Sequence, residues 1–181
     1  MEADLQGEYT NAGATVGVAG TDLTTNIFVD AKKELVDAKA PKNLGVSAIV
    51  SSKDVAAMLK STTLKDASAS GSNAPLREGS IGRLAGMDIF ESQQVITTGS
   101  SPTTTHNIAF SSSAIILAIR PQRLAPSDTG VRQMIIDSGD GFALRMTWGY
   151  DKSQLGMQIT LDVLYGIVTV RSGAHMIDMN S

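Results

Sequence analysis

His106 and His175 are the two histidines in a chain of 181 residues that contains no cysteine. Their separation argues against a histidine-rich metal centre. The lack of cysteine removes disulfides, thiolate zinc sites, redox pairs and cysteine nucleophiles together. His106 reads as a loop residue and His175 as a surface or strand-end residue. Asp88 and Glu91 are candidates for paired carboxylates, but a spacing of three on a strand sends them to opposite faces. Asp137, Asp140 and Gly141 stand in Asp-Ser-Gly-Asp-Gly, which has the short acidic spacing of a calcium loop without its length or closing Glu. A polar turn is the simpler reading. Gly79, Gly82 and Gly86 match neither the dinucleotide fingerprint nor the phosphate loop, and no Lys-Ser or Lys-Thr pair follows. They read as glycines that let two strands turn and approach. Ser51 sits between a strand and a helix but lacks the flanking glycines of a nucleophile elbow. With Asp54 three residues on, it reads as a helix cap. No constellation amounts to an active site, so neither an enzyme nor a cofactor nor a metal is expected.

The elements around these residues follow from periodicity. Ile27, Ala31 and Leu35, with Phe28 and Val36 beside them, predict a helix over 22–39, stopped by Pro41. Residues 46–50 predict a strand and 52–59 a second helix with Val55, Met58 and Leu59 inward. Residues 1–20 are rich in Gly, Ala and Thr and read as a flexible arm, although Val16, Val18 and Ala19 would also suit a short strand. Residues 61–80 shift to Ser, Ala, Gly and Asn and read as a long mobile loop. Residues 107–110 look extended, and the apolar run 114–119 suits either a short helix or a buried strand. Leu144, Met146, Trp148 and Tyr150 alternate with polar residues, as do Met157, Ile159, Leu161, Val163 and Tyr165 after a short polar turn. That is an antiparallel hairpin within a β region at 142–171, expected to bury its apolar side.

Composition bounds the function. The net charge of −3 opposes tight nucleic-acid binding, which needs clustered cations. The apolar run 114–119 is far short of a membrane span, and the acidic start Met1-Glu2-Ala3-Asp4 has no apolar segment behind it, so neither membrane nor signal peptide is expected. The residues describe an α+β domain with a binding or structural role.

The ordered segments resemble the major capsid (coat) protein family of tailed bacteriophages, with its Hong-Kong-ninety-seven-type fold. The helix ending in Lys39-Ala40-Pro41, the strand after it and Ser51-Ser52 resemble the family's helix–Pro–strand–helix passage. Leu76-Arg77-Glu78-Gly79-Ser80-Ile81-Gly82-Arg83-Leu84-Ala85-Gly86-Met87-Asp88-Ile89 resembles its R-x-G-x-I-G-x-x-x-G-F-x-V segment, with Met87 where an aromatic is usual. His106-Asn107-Ile108-Ala109-Phe110 and 114–118 resemble the next block. Ser111 stands where a basic residue or histidine often follows. Gly149-Tyr150-Asp151 and Leu161-Asp162-Val163-Leu164-Tyr165-Gly166 with Val170-Arg171 resemble the closing β block.

The resemblance implies a mixed or antiparallel sheet with a few flanking helices over 21–181, corresponding to the family's axial domain and the C-terminal part of its peripheral domain. It implies a structural subunit of an icosahedral shell around DNA, made in the host cytoplasm and located in the virion capsid. Partners would be further copies of the chain, with scaffolding and portal proteins, and packaged DNA held without sequence preference. The family's N-terminal arm, extended loop and spine helix have no counterpart before residue 20, so the chain is expected to be the later part of a coat protein. Arg77, Glu78, Arg83, Arg120 and Arg132 are expected at subunit contacts from residue type and exposure. A phage tail or adhesin-type binding module and an encapsulin-like cargo shell are the alternatives.

Overall fold

The computed structural model describes residues 1–41, 44–61, 79, 81–124, 132–139, 141–170 and 175–181. The elements are α1 (Glu2–Gly7), a 3-10 turn (Glu8–Asn11), β1 (Ala14–Gly17), α2 (Thr25–Asp37), β2 (Val46–Ser51), α3 (Ser52–Lys60), β3 (Arg83–Leu84), β4 (Met87–Ser92) and β5 (Thr97–Thr98). They continue as β6 (Thr104–Ser111), β7 (Ile115–Arg120), β8 (Arg132–Asp137), β9 (Ala143–Asp151), β10 (Gly156–Asp162), β11 (Leu164–Thr169) and β12 (Met176–Asn180). The chain divides into two compact units, 1–116 with 168–181, and 117–167. One domain over 21–181 was expected; the chain leaves the first unit at 117 and returns to it at 168, with no marker in composition.

The first unit is a mixed sheet in the order β1-β12-β6-β2-β4-β3, with β5 beside β6. β1 runs parallel to β12 and β2 parallel to β4, while β6 is antiparallel to both β12 and β2. On one face α2 and α3 close the core: Phe28, Ala31, Leu35, Val55 and Met58 pack with Ala48, Val50, Met87, Ala109, Ile177 and Met179. α2 begins and ends a few residues inside the predicted span. Its end is set by Lys39, whose left-handed backbone (φ 59°) lets Lys39 and Ala40 donate back to Val36 and Leu35. Ser51 caps α3 as expected, its Oγ accepting from the Asp54 N–H at 3.2 Å. The glycine-rich segment forms the β3–β4 hairpin, turning at Ala85 (φ 51°) and Gly86 (φ 83°), a pair of positive φ values that suits the twist of a two-residue turn.

On the other face Tyr9 and Ala12 pack against Ile108, Met176 and Ala114. Residues 1–20 are therefore not a free arm. They supply a helix, a turn and an edge strand, with Gln6 fully buried. The signal was missed because β1 finds its partner β12 about 160 residues away, and local composition carries no trace of that pairing. The apolar run 114–119 resolves as strand β7, not helix. The predicted loop at 61–80 falls almost wholly outside the described residues.

The second unit holds the antiparallel sheet β10-β9-β8, and β7 pairs with β11. Strand order and register agree with the predicted hairpin: Ile159 faces Trp148 and Leu161 faces Met146. Its expected buried side is not buried.

Candidate functional site

Two kinds of feature stand out: buried polar clusters in the first unit and uncovered apolar surface in the second. His106 is not in a loop. It lies on β6 beside β12, where its Nδ1 is 2.7 Å from Asp178 Oδ2 and its Nε2 is 2.7 Å from Thr98 Oγ1. The Tyr9 ring stacks on the imidazole at 4.0 Å between centroids. Swapping the Asn180 amide lets its nitrogen donate to both Asp178 oxygens. Burial pushes the Asp178 carboxyl above the usual range, and the His106 hydrogen bond and charge pull it back. Hydroxyl, imidazole and carboxylate stand here in series, but imidazole and carboxylate are both buried and the ring is covered by Tyr9. The arrangement fixes the N-terminal segment onto the sheet. His175, read as a surface or strand-end residue, is buried before β12, with Nδ1 3.0 Å from Ser113 Oγ.

Asp54 is the second cluster. It is fully buried, and its Oδ2 accepts from Ser51 Oγ at 2.7 Å, Asn107 Nδ2 at 2.8 Å and Ser181 Oγ at 2.9 Å. Asn107 in turn accepts the Ser51 N–H at 2.8 Å and donates to the Met179 carbonyl at 3.3 Å. Three separate stretches of chain converge on one carboxylate. The cap between Ser51 and Asp54 was legible in sequence; the partners on β6 and β12 were not.

Carboxylates also pin the N-terminal segment. Glu2 accepts from Ser92 Oγ, and Glu8 Oε2 accepts from the Thr169 hydroxyl and, at 3.1 Å, from the Thr169 N–H. The Thr169 hydroxyl bond holds the Glu8 carboxyl below its ordinary 4.5. A carboxyl lowered by folding contributes stability above its unfolded pKa and loses it as pH falls through the lower folded value. Thr169→Val is expected to move the Glu8 midpoint back toward 4.5, read by NMR titration of the carboxyl carbon. An unchanged midpoint would show that the hydroxyl does not set it.

In the second unit, opposite residues of an antiparallel ladder share a face. Met134 and Ile136 of β8, Leu144, Met146, Trp148 and Tyr150 of β9, and Met157, Ile159 and Leu161 of β10 therefore form one apolar surface. Met157, Ile159 and Leu161 are 67%, 65% and 62% exposed, and Tyr150 is 60% exposed. The expectation that Leu161, Val163, Trp148 and Met146 share a closed core is overturned: the alternation is right, but nothing among the described residues covers that side. The opposite face carries mostly polar side chains, with Ile135 among them. There Arg145 makes a bidentate pair with Asp162, at 2.7 Å for the shorter contact, and donates to Gln122 Oε1 and the Arg123 carbonyl. That clamp ties β9, β10 and the segment after β7.

Of the residues expected at contacts, Arg77 and Glu78 lie outside the described residues. Arg83, Arg120 and Arg132 are exposed and stand on three different strands. Among the described residues no group of His, Asp and Glu could hold a metal ion, and no helix is long and apolar enough to cross a membrane.

No protein-family model matches the chain, and no curated relative matches it. Solved structures do. A structure from Mycobacterium phage Che8 matches 98% of this chain and 56% of its own, with a TM-score of 0.61 and 23% identity. The capsid of Ralstonia phage GP4 matches 94% of this chain and 52% of its own, with a TM-score of 0.54 and 11% identity. The capsid of cyanophage P-SCSP1u matches 92% and 52%, with a TM-score of 0.52 and 12% identity. This chain thus spans about half the length of the structures it matches, and its α+β fold is the one found in phage capsids.

Proposed function

We propose that the chain is a structural component of a phage capsid shell, contributing about half of a shell subunit and acting through contacts rather than turnover. The observation that carries the reading is the match along nearly the whole chain to phage capsid structures about twice as long. The uncovered face of the β8-β9-β10 sheet supports it, because contiguous exposed apolar side chains on a folded unit mark an interaction site. In the assembled subunit that face is covered by polypeptide beyond these residues. The family resemblance supplies a candidate in the spine helix. A helix about 10 Å across suits three strands spaced about 4.8 Å apart. Self-association in the virion shell, with scaffolding, portal and DNA contacts made by the assembled particle, follows from the same reading.

Electron microscopy and light scattering of the purified 181-residue chain test it. Monomers or small rings that dissociate on dilution are expected, with closed particles forming only when the other half of the subunit is supplied. Uniform closed shells from this chain alone would overturn the half-subunit reading. Failure to enter particles with the completing half would overturn the capsid reading itself.

A further inference from the structure

The first unit holds an open pocket of about 490 Å³ at the carboxyl ends of the parallel pair β2 and β4. Crevices at the carboxyl ends of parallel strands are where open α/β sheets hold ligands. Ser51 and Ser92, the paired last residues of those two strands, belong to its wall. Ser52 and Lys53 of α3, Thr97 of β5, Thr103 and Thr105 line it further. No acidic side chain is among the lining residues.

Three groups there carry hydrogens with no acceptor. The Ser51 cap takes the Asp54 N–H, the third of α3. The Ser52 and Lys53 N–H groups, at the positive end of the helix dipole, have no partner among the described residues. The Lys53 side chain is exposed and makes no ion pair among the described residues. Thr105 is the third and is independent of the helix. It shares a face of β6 with Asn107, whose amide oxygen accepts the Ser51 N–H, so its side chain points toward the start of α3 and into the pocket. Thr105 is only 3% exposed, yet its hydroxyl has no hydrogen-bond partner among the described residues. An unpaired buried hydroxyl is costly, and an acceptor seated in the pocket would relieve it. Neither neighbouring carboxylate supplies that acceptor. Asp54 is fully buried and not part of the lining, its charge offset by three donors at Oδ2, and Glu2 is occupied with the Ser92 hydroxyl.

We propose that this pocket binds a small oxyanion of the phosphate class, held by the Ser52 and Lys53 N–H groups, the Lys53 ammonium and the Thr105 hydroxyl. The donors come from a helix end, a side-chain tip and a strand. A tetrahedral anion offers a separate oxygen to each, where a carboxylate has two in one plane. Hydrogen bonds to an ionised acceptor are the strong ones. The cap and the site coexist, because the cap uses only the third N–H of the helix. The shell reading neither requires this site nor fails with it.

Inorganic phosphate titrated into the isotope-labelled chain, followed by amide NMR, tests the site, with sodium chloride at matched ionic strength as the reference. Saturable shifts at Ser52, Lys53 and Thr105 are expected with phosphate and none with chloride. Lys53→Gln should weaken binding about fivefold and Thr105→Val about tenfold. Thr105→Ser keeps the hydroxyl and should stay within about twofold of the parent. Lys53 is exposed, so its variant stays folded and decides the matter even where Thr105→Val does not fold. Shifts that never saturate, equal shifts with chloride, or parental affinity in Lys53→Gln or in folded Thr105→Val would overturn the proposal.

Discussion

Asp54→Ala is expected to destabilise the first unit by about 4 kcal/mol, with loss of a folded population near the urea concentration where the parent is still native. The carboxylate is fully buried and takes three hydrogen bonds at Oδ2. Removing it strands the Ser51, Asn107 and Ser181 donors, and each buried donor left unpaired costs roughly 1–3 kcal/mol. The loss is also structural, since these donors come from the end of β2, from β6 and from the residue after β12. Asp54→Asn keeps the shape and an acceptor, so a cost of about 1–2 kcal/mol is expected. Asn107→Ala removes the next link and should be non-additive with Asp54→Ala by about 1 kcal/mol or more, because the two side chains share one network. Equal, small and additive effects on urea midpoints would show that the cluster is wet and loosely held.

That cluster shows where sequence reading reaches its limit. The Ser51–Asp54 cap is a local pattern, three residues apart, and local patterns are visible. The α2 stripe, the β2 strand and the β9–β10 hairpin are of the same kind, set by period and by short turns. Asn107, Asp178 and Ser181 reach their partners across 53, 72 and 127 positions. No periodicity encodes such pairs, and for the same reason β1 read as an arm and His106 as a loop residue. The two units were invisible because β7 leaves and β11 returns within ordinary strand sequence. Charge and exposure select surface residues such as Arg83, Arg120 and Arg132 without saying which surface a partner would cover.

The hairpin is the case where alternation was read correctly and its consequence was not. Alternation predicts that one face is apolar; it does not say whose atoms cover it. In this chain Ile159 is 65% exposed, so Ile159→Asp should shift the stability of the 181-residue chain by less than about 1 kcal/mol, and Leu161→Ala likewise, well below the roughly 2–5 kcal/mol of a buried truncation. Val50→Asp, at a fully buried position of the first unit, should unfold it, which shows the assay responds. The completed subunit should behave differently. If polypeptide beyond these residues lies over the sheet, Ile159→Asp forces a carboxylate into an apolar contact worth roughly 1.5–3 kcal/mol per covered side chain, and particle formation should be lost while the isolated units stay folded. Trp148 faces Ile159 and is the only tryptophan, so its emission reports the same event. A shift to shorter wavelength is expected when the completing half is added to the parent, and none when it is added to Ile159→Asp. Normal particles from the variant, with an unshifted Trp148 in the parent, would mean that this face stays open in the shell.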